Sequence, residues 1–87
     1  MKKQWNVTVD GENYAVEIDL EGFLGKLTVT VNGDAFPLPP KFLTILFGRK
    51  ERLMLGEKLA LLVIKPFLRA DIVVGGKYIG SGEDYTG

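Results

Sequence analysis

Hydrophobic side chains recur at every second position over much of this sequence, and that spacing most limits what the chain can fold into. Residues 5–9, 14–20 and 27–31 each alternate apolar with mostly polar side chains. Because successive side chains of a β-strand point to opposite faces, each run predicts a strand with one buried face. The predicted inward side chains are those of Trp5, Val7, Val9, Tyr14, Val16, Ile18, Leu20, Leu27, Val29 and Val31.

Glycine-containing pairs separate these runs and predict tight reversals of the chain. Asp10-Gly11 follows the first run, and Asn32-Gly33 follows the third. Asn-Gly is the dipeptide best suited to the positive φ angles of a type I′ hairpin, so this pair predicts two adjacent antiparallel strands. Downstream, the prolines within residues 36–40 cannot donate ladder hydrogen bonds, which predicts an extended connection between two sheets at that point.

The second half of the chain holds further short apolar runs, divided by glycines and prolines. They cover residues 42–47, 53–55, 59–64 and 67–74. Segments this short favour strands over helices. A helix over Leu53–Ile64 is the main alternative, since leucine and alanine are good helix formers, but Gly56 interrupts it and Pro66 follows it closely.

Together these segments predict an all-β chain, namely an antiparallel β-sandwich of seven or eight short strands in two sheets. A chain of 87 residues has room for one hydrophobic core. We expect residues 1–80 to form this single domain. Residues 81–87 carry no further strand signal and are predicted to be a polar tail, for which a linker to further sequence is one interpretation.

The composition removes whole classes of chemistry. The chain contains no histidine and no cysteine, which excludes a Ser-His-Asp triad, a thiol nucleophile, a disulfide and a His or Cys metal site. Eleven basic and eleven acidic residues balance to zero net charge, so no overall field attracts nucleic acid or an anionic membrane. The longest stretch without formal charge has seven residues, against about 20 for a membrane-spanning helix. We therefore predict a soluble, cytoplasmic protein that is not an enzyme and uses no cofactor.

Two further groups of residues resemble binding sites in composition but are predicted to be structural. The glycine-rich residues 75–82 fit neither a Walker loop nor a dinucleotide-binding fingerprint, and a hairpin turn accounts for them. The acidic residues within 10–21 lack the spacing of an EF-hand, and Glu17 and Asp19 fall at outward strand positions where water solvates them. No metal site is predicted from this sequence.

A resemblance to a known family rests on a series of short matches spread along the chain. They are Trp5-Asn6-Val7, Asp10-Gly11, Val16-Glu17, Gly25-Lys26, Val29-Thr30-Val31-Asn32-Gly33 and Gly76-Lys77-Tyr78-Ile79. Between Trp5 and Ile79 the chain resembles one repeat of the Fas apoptosis inhibitory molecule family. The resemblance implies a compact β-sandwich of two antiparallel sheets without cofactor or catalytic residues, and a regulatory, protein-binding role.

Two of the predicted strands are apolar on both faces, which a sheet with one solvated face does not require. The side chains proposed as an interface are Leu43, Ile45, Phe47, Ala60, Leu62 and Ile64. Exposed together, they would approach or pass the largest apolar patch of ordinary monomers, about 300–600 Å². Burial of this set by neighbouring strands within the domain is one interpretation. The other is that the set binds a second copy or a protein partner.

A cluster of basic residues, Arg49, Lys50 and Arg52, is predicted to lie at the tip of a hairpin. Glu51 dilutes its charge and no aromatic residues interleave with it, so nucleic-acid binding is not predicted. The first functional hypothesis is a non-enzymatic interaction module that binds protein through an apolar sheet face. The alternative hypothesis is a module that holds a carbohydrate or an acidic small ligand, in a cleft between the sheets or at this basic turn.

Overall fold

Strands account for most of the chain in the computed structural model, which describes residues 1–21, 26–39, 48–66 and 69–86. They are β1 (Lys2–Val9), β2 (Glu12–Glu21), β3 (Lys26–Val31), β4 (Asp34–Leu38), β5 (Arg49–Leu55), β6 (Lys58–Lys65), β7 (Arg69–Val74) and β8 (Lys77–Tyr78). Strands β1 to β4 form sheet A and strands β5 to β8 form sheet B, each in sequential order with antiparallel neighbours.

The predicted all-β fold with two antiparallel sheets is confirmed. The segment Leu53–Ile64 contains the end of β5, a turn and most of β6, so the helical alternative is wrong. Within the described residues, no helix is long and apolar enough to cross a membrane. The strand expected at residues 42–47 lies outside the described part of the chain.

Two-residue turns set the register of sheet A. Asp10 and Gly11 have φ angles of 51° and 82°, and Asn32 and Gly33 have φ angles of 49° and 87°. Two successive positive angles define the type I′ turn, whose twist matches that of the flanking strands. The Asn32 side chain also accepts a 2.8 Å hydrogen bond from the Ala15 amide through its Oδ1. These turns fix the register of β1 with β2 and of β3 with β4, and the bond from Ala15 ties the second turn to β2.

Buried side chains from both sheets form a single hydrophobic core. The cluster comprises Trp5, Val7, Val9, Val16, Ile18, Leu20, Leu27 and Val29 from sheet A, and Leu55, Ala60, Leu62, Ile64, Ala70 and Ile72 from sheet B. One cluster shared in this way is the packing of a β-sandwich. The placement of Trp5 in the core is confirmed, and its ring lies beside Lys3. The Lys3 Nζ is 5.6 Å from the ring centroid and donates a 2.7 Å hydrogen bond to the Ala70 carbonyl oxygen, which joins the sheets.

The proline-containing segment differs in part from its prediction as a connection. Residues up to Leu38 belong to β4, where Pro37 pairs with Thr28 at the edge of sheet A. A proline is tolerated there because an edge strand has one side that needs no ladder hydrogen bond. Phe36 shares its face with the buried Val29, yet it is 52% exposed. The predicted connection is therefore wrong for residues 36–38.

Two leucines of β6 test the orientation of this strand. Leu62 is fully buried and Leu59 is 55% exposed. We expect Leu62→Ala to lower the free energy of unfolding by about 2–5 kcal/mol through lost burial and a cavity. The matched change Leu59→Ala should cost less than about 0.5 kcal/mol. Urea unfolding followed by the fluorescence of Trp5 measures both values, and equal costs would contradict the assigned faces.

Candidate functional site

An apolar strip lies on the outer face of sheet B, the face that points away from sheet A. Met54 of β5 and Leu59 of β6 are direct cross-strand partners, and each is 55% exposed. Leu61 follows on the same face of β6 and is half-buried. We refer to Met54, Leu59 and Leu61 as the apolar strip. Side chains opposite one another on antiparallel strands lie about 4.5–5.5 Å apart at Cβ, so the strip is continuous.

The apolar character of this face continues into side chains that are buried. Val63 follows Leu61 on the outer face of β6, and Val73 is the direct partner of Leu61 on β7. These two valines are only 4% and 6% exposed, although they point away from the core between the sheets. Something other than sheet A must cover them.

Two tyrosines lie on this side of the sheet, where Tyr78 is the direct partner of Val73, and we call Tyr78 and Tyr85 the tyrosine cover. Their rings meet edge to face, with centroids 5.6 Å apart. Lys65 Nζ lies 4.8 Å from the Tyr78 ring centroid, while Lys50 Nζ lies 5.5 Å from the Tyr85 ring centroid and 3.1 Å from its hydroxyl. Lys50 is on β5 and Tyr85 follows β8, and these are the two edge strands of sheet B. A contact between them must therefore pass over β6 and β7, where the two valines lie.

The C-terminal segment, residues 80–86, holds Tyr85 in this position. The Tyr85 amide donates to the Gly76 carbonyl oxygen at 2.8 Å, and the Tyr78 amide donates to the Glu83 carbonyl oxygen at 2.9 Å. Asp84 forms an isolated β-bridge with Lys77 of β8. Residues 81–86 of the predicted polar tail thus run back along the free edge of β8.

The turn that starts this segment depends on Asp71. Its Oδ1 accepts 2.8 Å hydrogen bonds from the amides of Ile72 and Gly80. Gly80 is suited to this position because a Cβ there would lie 2.8 Å from the Asp71 carboxylate. The Asp71 carboxylate therefore accepts the hydrogen bonds of the turn and also supplies negative charge on the outer face.

Basic side chains surround the apolar strip and the tyrosine cover. Four exposed cations occupy outer-face positions of β5, β6 and β7, namely Lys50, Arg52, Lys65 and Arg69. Asp71 is the one carboxylate among the outer-face positions of these three strands. The outer face of sheet B thus combines apolar, aromatic and cationic groups. Methionine, tyrosine and arginine are enriched in protein interfaces over other surfaces.

The β6 residues proposed as an interface lie on the opposite side of the strand. Ala60, Leu62 and Ile64 are buried in the core cluster, so they are not available to a partner in the folded chain. The alternation predicts two faces for β6. The side chains of both faces are apolar, however, and the sequence does not say which face meets sheet A. The remaining three proposed residues, Leu43, Ile45 and Phe47, lie outside the described residues.

The three basic residues proposed as one turn are divided between the two faces of β5. Arg49 is 5% exposed, pairs with Ile64 and points inward, and its Nε lies 2.7 Å from Glu51 Oε1. Lys50 and Arg52 point outward. A buried guanidinium needs such a carboxylate partner because desolvation of an unpaired charge is costly. These residues belong to a strand, and only two of them contribute to the outer face.

Two depressions lie elsewhere on the surface. One, of about 520 Å³, lies on the outer face of sheet A and is lined mainly by Lys2, Gln4, Glu17, Asp19, Thr28 and Thr30. The other, of about 290 Å³, lies where the β1–β2 and β5–β6 hairpins meet, with Asp10, Glu12, Tyr14 and Gly56 in its lining. Neither depression contains residues of the apolar strip. In the described part of the chain, no three His, Cys, Asp or Glu side chains are arranged to hold a metal ion.

Desolvation and acidic neighbours raise the pKa of Tyr14 at the smaller depression. Its hydroxyl donates a 3.1 Å hydrogen bond to Glu12 Oε2. Partial burial is the first cause that raises the pKa of Tyr14 above its ordinary value of 10.0, and the hydrogen bond and negative charges of Glu12 and Asp10 add to it. The protonated phenol is therefore the form that the folded chain favours.

A titration of tyrosinate absorbance tests this environment. Tyr14 should ionise at a higher pH than a free tyrosine, and Glu12→Gln should bring its pKa back towards the ordinary value. Because the folded-state pKa is raised, the stability that this group contributes is present below pH 10 and is lost as the pH rises through that pKa. Tyr14→Phe identifies the step by removing it. A Tyr14 step at or below the ordinary pKa would contradict the assignment.

No family model matches the chain, and no curated protein or solved structure compared with it is similar to it. The resemblance to Fas apoptosis inhibitory molecule repeats therefore stays a prediction from short sequence matches. The outer face of sheet B is consequently assessed on its own chemistry.

Proposed function

We propose that this chain is a non-enzymatic interaction module that binds protein through the outer face of sheet B. The observation that carries the proposal is the adjacency of Met54 and Leu59, two large apolar side chains that are more than half exposed on neighbouring strands. Contiguous exposed apolar surface rimmed by polar residues marks interaction sites in soluble proteins. Burial of the apolar strip by a partner removes this surface from water.

The rim of the face indicates the kind of protein surface that fits it. Lys50, Arg52 and Lys65 lie beside the apolar strip on the same face. A partner that places apolar side chains on the strip and carboxylates near these cations would match both properties. The unbranched, flexible side chain of Met54 adapts readily to different apolar partners. The regulatory, protein-binding role implied by the family resemblance agrees with this proposal. The cytoplasmic location expected from a cysteine-free chain is compatible with it.

A second candidate function is the binding of an acidic small ligand on the same face. It is favoured by the outward positions of Lys50 and Arg52 on one strand, with the Tyr85 hydroxyl 3.1 Å from Lys50 Nζ. A small anion would leave the apolar strip exposed to water. The protein-binding role therefore stands first, because it alone accounts for both halves of the face.

Selection of binding peptides from a random displayed library tests the proposal without a known partner. Peptides that bind the purified chain should shift the amide resonances of Met54, Leu59 and Leu61. We expect Leu59→Lys to weaken their binding at least tenfold, equivalent to about 1.4 kcal/mol, because an ammonium group would be buried against apolar side chains.

The matched control is Asn6→Lys, which adds the same charge to an exposed position on the outer face of sheet A. It should leave binding within about twofold. Failure to enrich any peptide, or binding that is insensitive to Leu59→Lys, would contradict the proposal.

A further inference from the structure

The C-terminal segment already binds to this part of the molecule through an isolated β-bridge. Its backbone pairs with β8 through the hydrogen bonds of Tyr85 to Gly76 and of Tyr78 to Glu83. Addition of an extended segment to the free edge of a sheet is a general mode of peptide recognition. The structure therefore displays one extended occupant of this edge, supplied by the chain itself.

The chemistry of this occupant is distinctive because acidic and aromatic residues are adjacent in it. The segment carries Glu83, Asp84 and Tyr85 in succession. Asp84 Oδ1 lies 3.8 Å from Lys77 Nζ. The Tyr85 ring lies beside Tyr78, with Lys50 directed at its face and hydroxyl. The edge of β8 thus receives the backbone, the outer face receives the ring, and Lys77 receives the Asp84 carboxylate on the opposite side of β8.

The contacts that hold the segment are of a kind that opens easily. The side chains of Lys77 and Asp84 are largely exposed, and exposed ion pairs stabilise little. Glycines at positions 80 and 82 add backbone freedom at the start of the segment. Exposed backbone hydrogen bonds are typical of segments that detach locally without global unfolding. Detachment would remove Tyr85 from the outer face, on which Val63 and Val73 continue the apolar strip.

We infer that the partner of the proposed function is an extended acidic protein segment with an aromatic side chain, and that residues 80–86 compete with it for the same place. The inference rests on the proposed function and specifies its partner. The incoming strand pairs with the β8 edge, its ring takes the place of Tyr85 beside Tyr78 and Lys50, and its carboxylate takes the place of Asp84 beside Lys77. The displaced segment leaves the two valines available to the partner.

A labelled peptide with the sequence of residues 80–86 serves as the probe, and fluorescence anisotropy measures its binding to the full chain. Tyr85→Ala removes the competing ring, so this variant should bind the probe at least tenfold more tightly than the unaltered chain. Thr86→Ala changes the same segment without removing the ring and should behave as the unaltered chain does. A probe with alanine in place of tyrosine, or with lysine in place of both acids, should bind at least tenfold more weakly. Added salt should also weaken binding, because charged groups are recognised.

Several outcomes would overturn the inference. Equal binding of the probe by the Tyr85→Ala variant and the unaltered chain, with both folded by circular dichroism, would show that the segment does not compete. If Tyr85→Ala does not fold, millimolar probe added to the unaltered chain should still shift the amides of Gly76 and Tyr78, and unchanged amides would contradict the proposal. A dimer of the chain that the probe dissociates would make the occupant a second copy and overturn a foreign partner.

The inference and the proposed function can fail separately. Library peptides that bind the apolar strip but lack acidic and aromatic residues, and that are unaffected by Tyr85→Ala, would leave the protein-binding role intact and overturn the partner assigned here. Loss of all binding at the apolar strip would remove the proposed function, whereas probe binding at β8 would still support recognition of this sequence chemistry.

Discussion

The apolar character of both faces of β6 is the constraint on which the rest of the structure depends. Its inward side chains, centred on Leu62, complete the core against sheet A. Its outward side chains have no second sheet above them in the described part of the chain. Val63 towards one end of the strand is buried, and Leu59 at the other end is exposed. The proposed binding face is the part of this apolar outer surface that the chain itself leaves exposed.

Charge is distributed so that it supports this division. Arg49, a buried cation that points inward, has its carboxylate partner two residues away on the same face of the strand. Lys50 and Lys65 point outward, where each ammonium lies over a tyrosine ring. Cations over aromatic faces stabilise by about 0.5–1 kcal/mol at exposed sites. The same lysines are therefore structural contacts of the cover and the positive groups that an acidic partner would meet.

Local sequence signals predict the strands and much of the core, but not the candidate site. Alternation places Trp5 in the core, and Asn32-Gly33 forms the expected turn. The outward side of β6 was not predictable, because a two-residue period has two equivalent phases when both are apolar. The role of Tyr85 was also missed, since its contact with Lys50 joins residues 35 apart. The acidic-aromatic order of residues 83–85 beside a lysine-rich sheet was the signal that could have indicated it.

The position of Val63 tests the account most directly. Nuclear Overhauser effects between its methyl groups and aromatic protons, with the upfield shifts that ring currents cause, report whether a ring lies over this side chain. The account predicts contacts to Tyr78 or Tyr85 and shifts that disappear in Tyr85→Ala. Contacts from Val63 to the core residue Val29, with no contact to either tyrosine, would show that β6 faces the other way and would contradict the assigned binding face.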